Sequence, residues 1–386
     1  MFCHSEKVRN NRLGDKPFSS DGMDASCSGD VCAIMEVAEL RQQEATMTYI
    51  TTIELDLAKT VFQVHGADKD GRPVLRRKLR RGQVLGFFAG ISSCRVGLEA
   101  CGSAHYWARE LQALDHDVCL IPPQYVKPFV KTNKNDACDA EAICEALLRP
   151  TMHFAPIKSA EQQSVLVLHQ ARELLVRQRT MLINALRGHC AEFGLISAQG
   201  ASKVTDLIHI IHDREDTRLP DLAREALGLL VEQLTTVRAQ VKALEARLLA
   251  WHRLNEASRR LETIPGVGVI TATALVATIG DGSQFHSGRQ LSAWLGLVPR
   301  QPSSGGKTRL GRISKRGDGY IRRLLVHGAR TVLRWRRARP ETGTGWTDQL
   351  LVRRPTNVVL VAMANKTARV AWALLRHQRD YQAVSA

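Results

Sequence analysis

The succession of short apolar strands and helices between residues 49 and 148 constrains the fold of this chain more than any other feature. It begins with strand patterns at 49–57, 61–67 and 73–79, and the turn signal Asp68-Lys-Asp-Gly71 separates the second from the third. Helix and strand patterns then alternate, at 82–90, 95–99, 104–113, 117–121 and 136–148. A three-stranded meander followed by alternating helices and strands predicts an α/β domain whose sheet has mixed strand directions.

Four acidic residues fall at the ends of these elements. Asp56 lies near the end of the first predicted strand, and Glu99 ends the fourth. Asp136 and Asp139 lie on the helix after the fifth strand, three residues apart and therefore on one helix face. This is the RNase H/RuvC-like order of elements, and ligands of open α/β sheets collect at strand ends. We therefore expect the four carboxylates to lie together at one edge of the sheet.

The four acids predict a metal site. Carboxylates held close together repel one another, and a divalent cation offsets that repulsion. Four of them would bind two Mg²⁺ ions, which stabilise the attacking and leaving oxygens of a phosphodiester displacement. The pair Asp136 and Asp139 by itself is also typical of a solvated acidic turn. A hydrolase triad fits less well, because no histidine accompanies the acids.

The charge of the chain indicates a polyanionic partner. The 386 residues include 54 Lys and Arg against 38 Asp and Glu, which gives a formal net charge of +16. A chain this basic usually binds nucleic acid, and a basic protein without such a partner is the alternative. No apolar run reaches membrane-spanning length, so we expect no membrane partner.

Cysteine usage indicates a reducing compartment. The nine cysteines include no C-x-x-C pair, which argues against a structural zinc. Six lie among apolar or helical residues and are expected to be buried free thiols: Cys94, Cys101, Cys119, Cys138, Cys144 and Cys190.

Changes in composition divide the chain into four parts. Residues 1–46 are rich in Ser, Asp, Gly and Asn without a sustained period, which predicts a flexible leader or an upstream start codon chosen in place of Met47. The α/β domain covers 47–155, a helical coiled-coil region covers 156–255, and a mainly helical C-terminal domain covers 256–386.

The helical region carries a capping box and a heptad pattern. Ser159-Ala-Glu-Gln162 predicts the start of one long helix, residues 202–217 are less regular, and a second long helix covers 222–254. Apolar residues four and three apart form a seam along the second helix: Leu230, Leu234, Val237, Val241, Leu244 and Leu248. The seam fits a hairpin that packs on itself, and it equally fits one that also pairs with another subunit.

The C-terminal domain begins with a glycine motif. Pro265-Gly266-Val-Gly268 resembles a helix-hairpin-helix, in which glycines let backbone amides approach a phosphate at a helix start. A plain turn between two helices is the alternative. The basic region that follows favours nucleic-acid binding by Gly266 and Gly268.

A cationic loop follows at residues 295–317. Its Gly and Pro residues alternate with six cations that can contact a nucleic-acid backbone: Arg300, Lys307, Arg309, Arg312, Lys315 and Arg316. In its centre, Ser303-Ser304-Gly305-Gly306 can present a hydroxyl group to a phosphate. A basic phosphate-binding loop without chemistry is the alternative.

As a set, these motifs resemble the DEDD transposases of the insertion sequence one-ten family. The stretches that carry the resemblance are, in order, Leu55-Asp56-Leu-Ala-Lys59, Gly97-Leu-Glu99-Ala, Asn135-Asp136-Ala-Cys-Asp139-Ala, Pro265-Gly-Val-Gly, Leu295-Gly-Leu-Val-Pro-Arg and Ser304-Gly-Gly-Lys. The basic loop and His327-Gly-Ala-Arg are similar to the eleven-eleven subgroup, and Piv-type DNA invertases are relatives. The resemblance covers residues 47–386, and it rests on the whole set because no single motif is specific.

The resemblance implies a RuvC-like N-terminal domain, a coiled-coil middle and a C-terminal transposase domain. Asp56, Glu99, Asp136 and Asp139 would be its DEDD metal ligands, and Ser304 would form a covalent phosphoserine link to DNA. Family members use a structured noncoding RNA that pairs with donor and target DNA. The resemblance also implies a bacterial, cytoplasmic, nucleoid-associated dimer or tetramer. One departure is Glu54, which stands where the family more often has Gly.

Two other functions fit the same residues. A Holliday-junction or structure-selective nuclease would use the acids to activate water, and Ser304 would only bind phosphate. A non-catalytic nucleic-acid binder would use only the glycine motif and the cations. A protein–DNA adduct distinguishes the recombinase from the nuclease, and any metal-dependent cleavage excludes the simple binder.

Overall fold

The N-terminal part of the chain forms the predicted mixed sheet. The computed structural model describes residues 50–129, 142, 143, 145–338 and 345–382; the predicted leader and residues 136–139 lie outside these ranges. The five strands are β1 (Thr52–Asp56), β2 (Val61–Ala67), β3 (Pro73–Arg80), β4 (Arg95–Glu99) and β5 (Asp117–Ile121). Their order is β3-β2-β1-β4-β5, with β1 to β3 antiparallel and β4 and β5 parallel to β1. The mixed α/β sheet is confirmed, and its RuvC-like assignment stays a prediction.

Helices cover both faces of this sheet. On one face, α1 (Val84–Ala89) and α2 (Ala104–Gln112) bury a core in which the rings of Phe62 and Trp107 meet edge to face at 5.0 Å. The short helix α3 (Pro123–Val126) follows β5. On the other face, helical residues that include Ile143 and Leu147 pack against Cys119 and Ile121.

Gly97 permits close packing of that second face. A Cβ atom at this position would lie 3.0 Å from Leu147 Cδ2 and 3.4 Å from Ile143 Cγ2. Because such contacts are tighter than ordinary packing, a larger side chain at position 97 would displace the helix from β4. Ile143 and Leu147 are thus held directly over β4 and β5.

The middle of the chain is a helical hairpin. Its long helices are α4 (Ala160–Ala191) and α6 (Asp221–Leu254), and α5 (Val204–His212) lies within the segment that the sequence predicts to be irregular. The capping box is confirmed: Ser159 Oγ accepts from Gln162 N at 3.1 Å, and Gln162 Oε1 accepts from Ser159 N at 2.9 Å. The apolar side of α5 explains the difference, because Val204, Leu207 and Ile211 close the end of the hairpin core.

The predicted seam of α6 is used inside the chain. Leu234, Val237, Val241 and Leu248 are buried, Leu230 and Leu244 are half-buried, and α6 packs along α4. An ion pair between Arg172 Nη2 and Glu245 Oε1, at 2.6 Å, also joins the two helices. The hairpin therefore packs on itself, and pairing with another subunit stays a prediction.

The C-terminal part is helical. Its helices are α7 (Glu256–Glu262), α8 (Val269–Ile279), α9 (Gly288–Trp294), α10 (Gly319–Arg337), α11 (Trp346–Arg353) and α12 (Thr356–His377). Helix α8 is buried on nearly every side, and α10 starts where Asp318 Oδ1 accepts from the amides of Tyr320 and Ile321. Among the described residues, α12 alone is long and apolar enough to cross a membrane, and eight of its side chains are buried in the C-terminal core.

A buried histidine connects the hairpin to the C-terminal part. His169 Nε2 lies 3.0 Å from Thr273 Oγ1, and His169 Nδ1 lies 3.0 Å from the Tyr320 hydroxyl. Because the Thr273 hydroxyl donates to Val269 O, it accepts from Nε2–H, and Nδ1 accepts from Tyr320. Burial, with a smaller effect of Arg172, lowers the pKa of His169 to about 4. The neutral imidazole thus has a hydrogen-bond partner at both ring nitrogens.

One cysteine prediction is wrong. Cys94, Cys119 and Cys190 are buried free thiols as expected, but Cys101 is exposed. It follows the end of β4, where the chain leaves the sheet and turns into α2, so its apolar neighbours in sequence do not cover it. Cys138 and Cys144 lie outside the described residues.

Candidate active site

The sheet brings two of the predicted acids together. Thr52 pairs with Arg95 and Glu54 with Gly97 across the parallel strands β1 and β4, so the same register places Asp56 level with Glu99. Neighbouring strands are about 4.8 Å apart, and residues that lie level on them face the same side of the sheet. Both acids are half-buried at the carboxyl ends of their strands. They share the face on which Ile143 and Leu147 pack.

A third carboxylate lies deeper on this face. Glu54 precedes Asp56 by two residues, so both side chains are on the same side of β1, and Glu54 is 0% exposed. Its neighbours in register are Gly97 on β4 and the buried His65 on β2. A carboxylate in such a place needs a polar partner. Glu54 thus adds a third acid to this face, below the predicted ligands Asp56 and Glu99.

The remaining predicted ligands, Asp136 and Asp139, lie outside the described residues. Within the described ranges, no group of three or more His, Cys, Asp or Glu side chains is arranged to hold a metal ion. Asp56 and Glu99 supply hard carboxylate oxygens, the donor type that divalent magnesium prefers. The donor set that the structure describes fits such an ion chemically, and it provides half of the predicted ligands.

The cationic loop rises from a rigid base. A Cβ on Gly317 would lie 1.8 Å from Trp294 O, and one on Gly296 would lie 2.4 Å from Arg316 O, so both positions require glycine. The guanidinium of Arg322 donates to Leu295 O at 2.8 Å and to Arg316 O at 2.9 Å. Sequence reasoning missed Arg322, which holds the two ends of the loop together from α10.

The loop is a β-like hairpin with a tight turn at its tip. Backbone bonds join Arg300 N to Arg312 O at 2.9 Å and Gly311 N to Arg300 O at 2.8 Å. At the tip, Lys307 N donates to Ser304 O at 3.1 Å, with φ of +57° at Gly305 and +74° at Gly306. Two central residues with positive φ define a type I′ turn, which glycines adopt without strain. Ser304 is the residue that enters this turn.

The two serines of the loop differ in their contacts. Ser303 Oγ accepts from Arg309 N at 3.0 Å, which ties it to the opposite side of the hairpin. For the exposed Ser304, no side-chain hydrogen bond to another described residue is present. A hydroxyl at the turn without an internal partner can approach a phosphate, whereas the Ser303 hydroxyl already has a structural contact.

The six predicted cations are exposed to solvent. Arg300, Lys307, Arg309, Arg312, Lys315 and Arg316 form no ion pair with an acid in the part of the chain that the structure describes. Arg300 has one internal contact, because its guanidinium donates to Ser314 O at 3.2 Å. Their charges are therefore available to a polyanion.

The glycine motif has two different environments. Gly266 has a φ of +86°, and a Cβ there would lie 2.8 Å from Gly328 O, so it is needed for the packing of the turn against α10. Gly268 is exposed, has open space around it and precedes the first turn of α8. Packing alone thus accounts for Gly266, and binding of nucleic acid by either glycine stays a prediction.

A groove that sequence reasoning missed lies beside the cationic loop. We call it the C-terminal groove: it has a volume of about 1470 Å³ and lies between the loop, the start of α9, Trp346 and one side of α12. Its cations are Arg289, Arg312, Lys315, Lys366 and Arg369. The only sequence signal for the groove is the polar side of α12, which carries Lys366 and Arg369.

Comparison with known proteins identifies the family. A family model described as "Transposase IS116/IS110/IS902 family" matches residues 258–342, and a transposase model for DEDD proteins of IS110 elements matches 53–193. The chain is 51% identical to "Probable family 20 transposase" of Pseudomonas aeruginosa over 334 residues, which is 86% of this chain and 99% of the relative. It belongs to the insertion sequence one-ten (IS110) family of DEDD transposases.

Other relatives of this transposase support the same family assignment. The chain is 42% identical over 361 residues to "Putative transposase y4pF/y4sB" of Sinorhizobium fredii, and the match covers 93% of each chain. It is 40% identical over 346 residues to "Transposase for insertion sequence element IS1111A" of Coxiella burnetii, covering 90% of this chain and 95% of the relative. The transposase is thus an enzyme that binds, cleaves and rejoins DNA.

Proposed function

We propose that this transposase exchanges DNA strands through a covalent phosphoserine intermediate on Ser304. Asp56, Glu99, Asp136 and Asp139 hold divalent metal, and the expected set is two Mg²⁺ ions. The observation that carries the proposal is the level placement of Asp56 and Glu99 at neighbouring strand ends. When bound, the ions stabilise the attacking and leaving oxygens of a phosphodiester displacement.

The helical residues over Gly97 support the assignment of the other two ligands. Ile143 contacts the face of the sheet that carries Asp56 and Glu99. Asp139 and Asp136 precede Ile143 by four and seven residues. In the predicted helix, residues at these spacings lie on one face. A continuous helix would therefore direct both aspartates toward the same edge of the sheet.

The chemistry proposed for Ser304 conserves phosphodiester bonds. Its Oγ forms a bond to the phosphorus while the bond from phosphorus to the leaving sugar oxygen breaks; the serine proton passes to solvent, and the leaving oxygen takes up a proton. In the second step, a sugar hydroxyl of the exchanged strand loses its proton and bonds to the phosphorus, while the bond from phosphorus to Ser304 Oγ breaks and Oγ takes up a proton. Strands are rejoined without ATP. Nearby cations such as Lys307 and Arg309 stabilise the charge of the transition state.

Guidance by RNA and assembly of subunits are part of the same proposal. The exposed cations of the loop fit the backbone of either nucleic acid, and a structured noncoding RNA of the element would choose the donor and target. On α4, Val167, Leu174 and Met181 follow one another at seven-residue spacing and are 60%, 49% and 69% exposed. This unused apolar stripe supports a homo-oligomer, either a dimer or a tetramer. We place the enzyme in the bacterial cytoplasm, at the nucleoid.

An adduct assay tests the proposal. The full-length protein is incubated with Mg²⁺, guide RNA and end-labelled junction DNA, then denatured and separated by electrophoresis. We expect labelled DNA to migrate with the wild-type protein and with Ser303→Ala. Ser304→Ala should bind the same DNA but form no adduct, because no hydroxyl remains to hold the phosphate.

Two results would refute this mechanism. An adduct that persists in Ser304→Ala but disappears in Ser303→Ala would assign the nucleophile to the neighbouring serine. Metal-dependent cleavage by the wild type without any adduct would instead show a nuclease that uses water.

A further inference from the structure

The C-terminal groove combines an apolar floor with a cationic rim. Val358, Val361 and Val370 of α12 contribute to the floor, together with Leu297 from the start of the cationic loop. Five of the groove's side chains are Arg or Lys, and no described acidic residue lines it. An uncharged apolar ligand would leave the cations of the rim without a partner. A nucleotide fits both parts, because its base has an apolar face for the floor and its phosphate carries a negative charge for the rim.

An indole ring forms part of the groove wall. Trp346, the first residue of α11, is 45% exposed, and Lys366 Nζ lies 5.2 Å from its ring centroid. The start of the helix is anchored, because Arg336 donates to Thr347 Oγ1 at 3.1 Å and Asp348 Oδ2 accepts from Gly345 N at 3.1 Å. A held, half-exposed indole beside a cation is the kind of surface on which nucleic-acid bases stack.

The groove leads to the proposed nucleophile. Pro299, Gly311 and Arg312 line it, and the backbone pair of Arg300 with Gly311 lies four residues before Ser304. At about 3.4 Å per residue of extended chain, Ser304 is at most roughly 14 Å beyond this pair. A strand lying in the groove would therefore continue toward the Ser304 turn within a few nucleotides.

We propose that the C-terminal groove binds single-stranded nucleic acid next to the cleaved phosphodiester, with one base stacked on Trp346 and the flanking phosphates held by the cationic rim. This inference rests on the proposed function, because the cleaved phosphodiester lies beside the groove only if Ser304 is the nucleophile. Strand exchange requires unpaired bases at the point of cleavage, and a stacking surface compensates for the stacking that they lose. The absence of acids from the described lining favours an anionic ligand over a basic peptide.

Binding measured without metal tests the groove independently of cleavage. The full-length protein is titrated in EDTA with fluorescein-labelled twelve-residue oligothymidylate, with oligouridylate and with a duplex of the same length. Trp346→Ala should weaken binding of the single strands about 5- to 150-fold, the loss expected for one stacked base. Trp346→Phe should recover most of the affinity because it keeps an aromatic face. Duplex binding should be unchanged.

The rim and a matched control complete the test. Lys366→Gln with Arg369→Gln should reduce the slope of log K against log salt for single strands by about 1.4, or about 0.7 for each phosphate contact. Trp335→Ala removes another half-exposed tryptophan, from α10 and outside the groove, and should bind like the wild type. Equal losses with both oligonucleotides would support a site that accepts DNA and RNA, and a loss with only one would name its ligand.

Several outcomes would overturn the proposal. One is wild-type affinity of Trp346→Ala for both single strands, and another is an equal loss in Trp335→Ala. A lowered thermal unfolding midpoint of Trp346→Ala with unchanged affinity would show that Trp346 stabilises the fold and stacks with no base. Because no cleavage occurs in EDTA, none of these results depends on whether Ser304 forms an adduct.

Discussion

Removal of the positive charges of the cationic loop should flatten the salt dependence of DNA binding. The change is the simultaneous replacement of five exposed cations by Gln: Lys307, Arg309, Arg312, Lys315 and Arg316. None of them forms an ion pair within the described residues, so no internal partner competes with a phosphate. The loop backbone is held by its glycines and by Arg322, which the substitutions leave in place. We therefore expect the variant to fold, with small changes in the free energy of unfolding.

The expected magnitude follows from counterion release. Each lost contact to duplex phosphate lowers the slope of log K against log salt by about 0.9, so five contacts account for about 4.5. Between 50 and 200 mM salt, a fourfold change, the wild type should lose about 500-fold more affinity than the variant. Fluorescence anisotropy with a labelled duplex at four or more salt concentrations measures both slopes.

A control with the same change in net charge makes the assay specific. It replaces five exposed cations that lie away from the loop, on or near α6 and α7: Arg214, Lys242, Arg247, Arg253 and Arg259. This control should keep most of the wild-type slope. If the loop variant keeps the wild-type slope, or if the control loses as much, the loop does not contact phosphate and the reasoning fails.

Two further predictions concern the metal site and the buried histidine. Asp56→Asn and Glu99→Gln should each abolish adduct formation and retain DNA binding, because each removes a negative charge from the proposed metal ligands. A wild-type yield of adduct from either variant in the adduct assay would contradict the metal assignment. Since the pKa of His169 falls from 6.5 to about 4 on folding, the unfolded chain binds more protons between these pH values, and stability is lost as the pH falls. In urea unfolding, the free energy of unfolding of the wild type should fall by about 2 kcal/mol between pH 8 and pH 5, and this fall should be absent in His169→Gln. Equal pH dependence of the two proteins would disprove the role of His169.

Local features of this transposase could be predicted from its sequence. The bounds of β2, β4 and β5 were predicted correctly, because alternation of apolar residues and turn signals act over a few residues. The capping box at Ser159 and the start of α10 at Asp318 are local as well, since each side chain bonds to amides two or three residues away. The placement of Glu99 at the end of a strand needed only the bounds of β4.

The tertiary structure decided which distant segments approach one another. The packing of Gly266 against Gly328 and of Gly296 against Arg316 leaves no periodic pattern in the sequence, because each contact needs only the absence of a Cβ atom. The seam of α6 is equally compatible with an internal and an external partner, and only the packing of α4 shows that it is used within the chain. The C-terminal groove joins residues up to 86 positions apart, from Ser287 to Ala373. Local propensity determines the elements of this protein, whereas its sites arise from long-range packing between them.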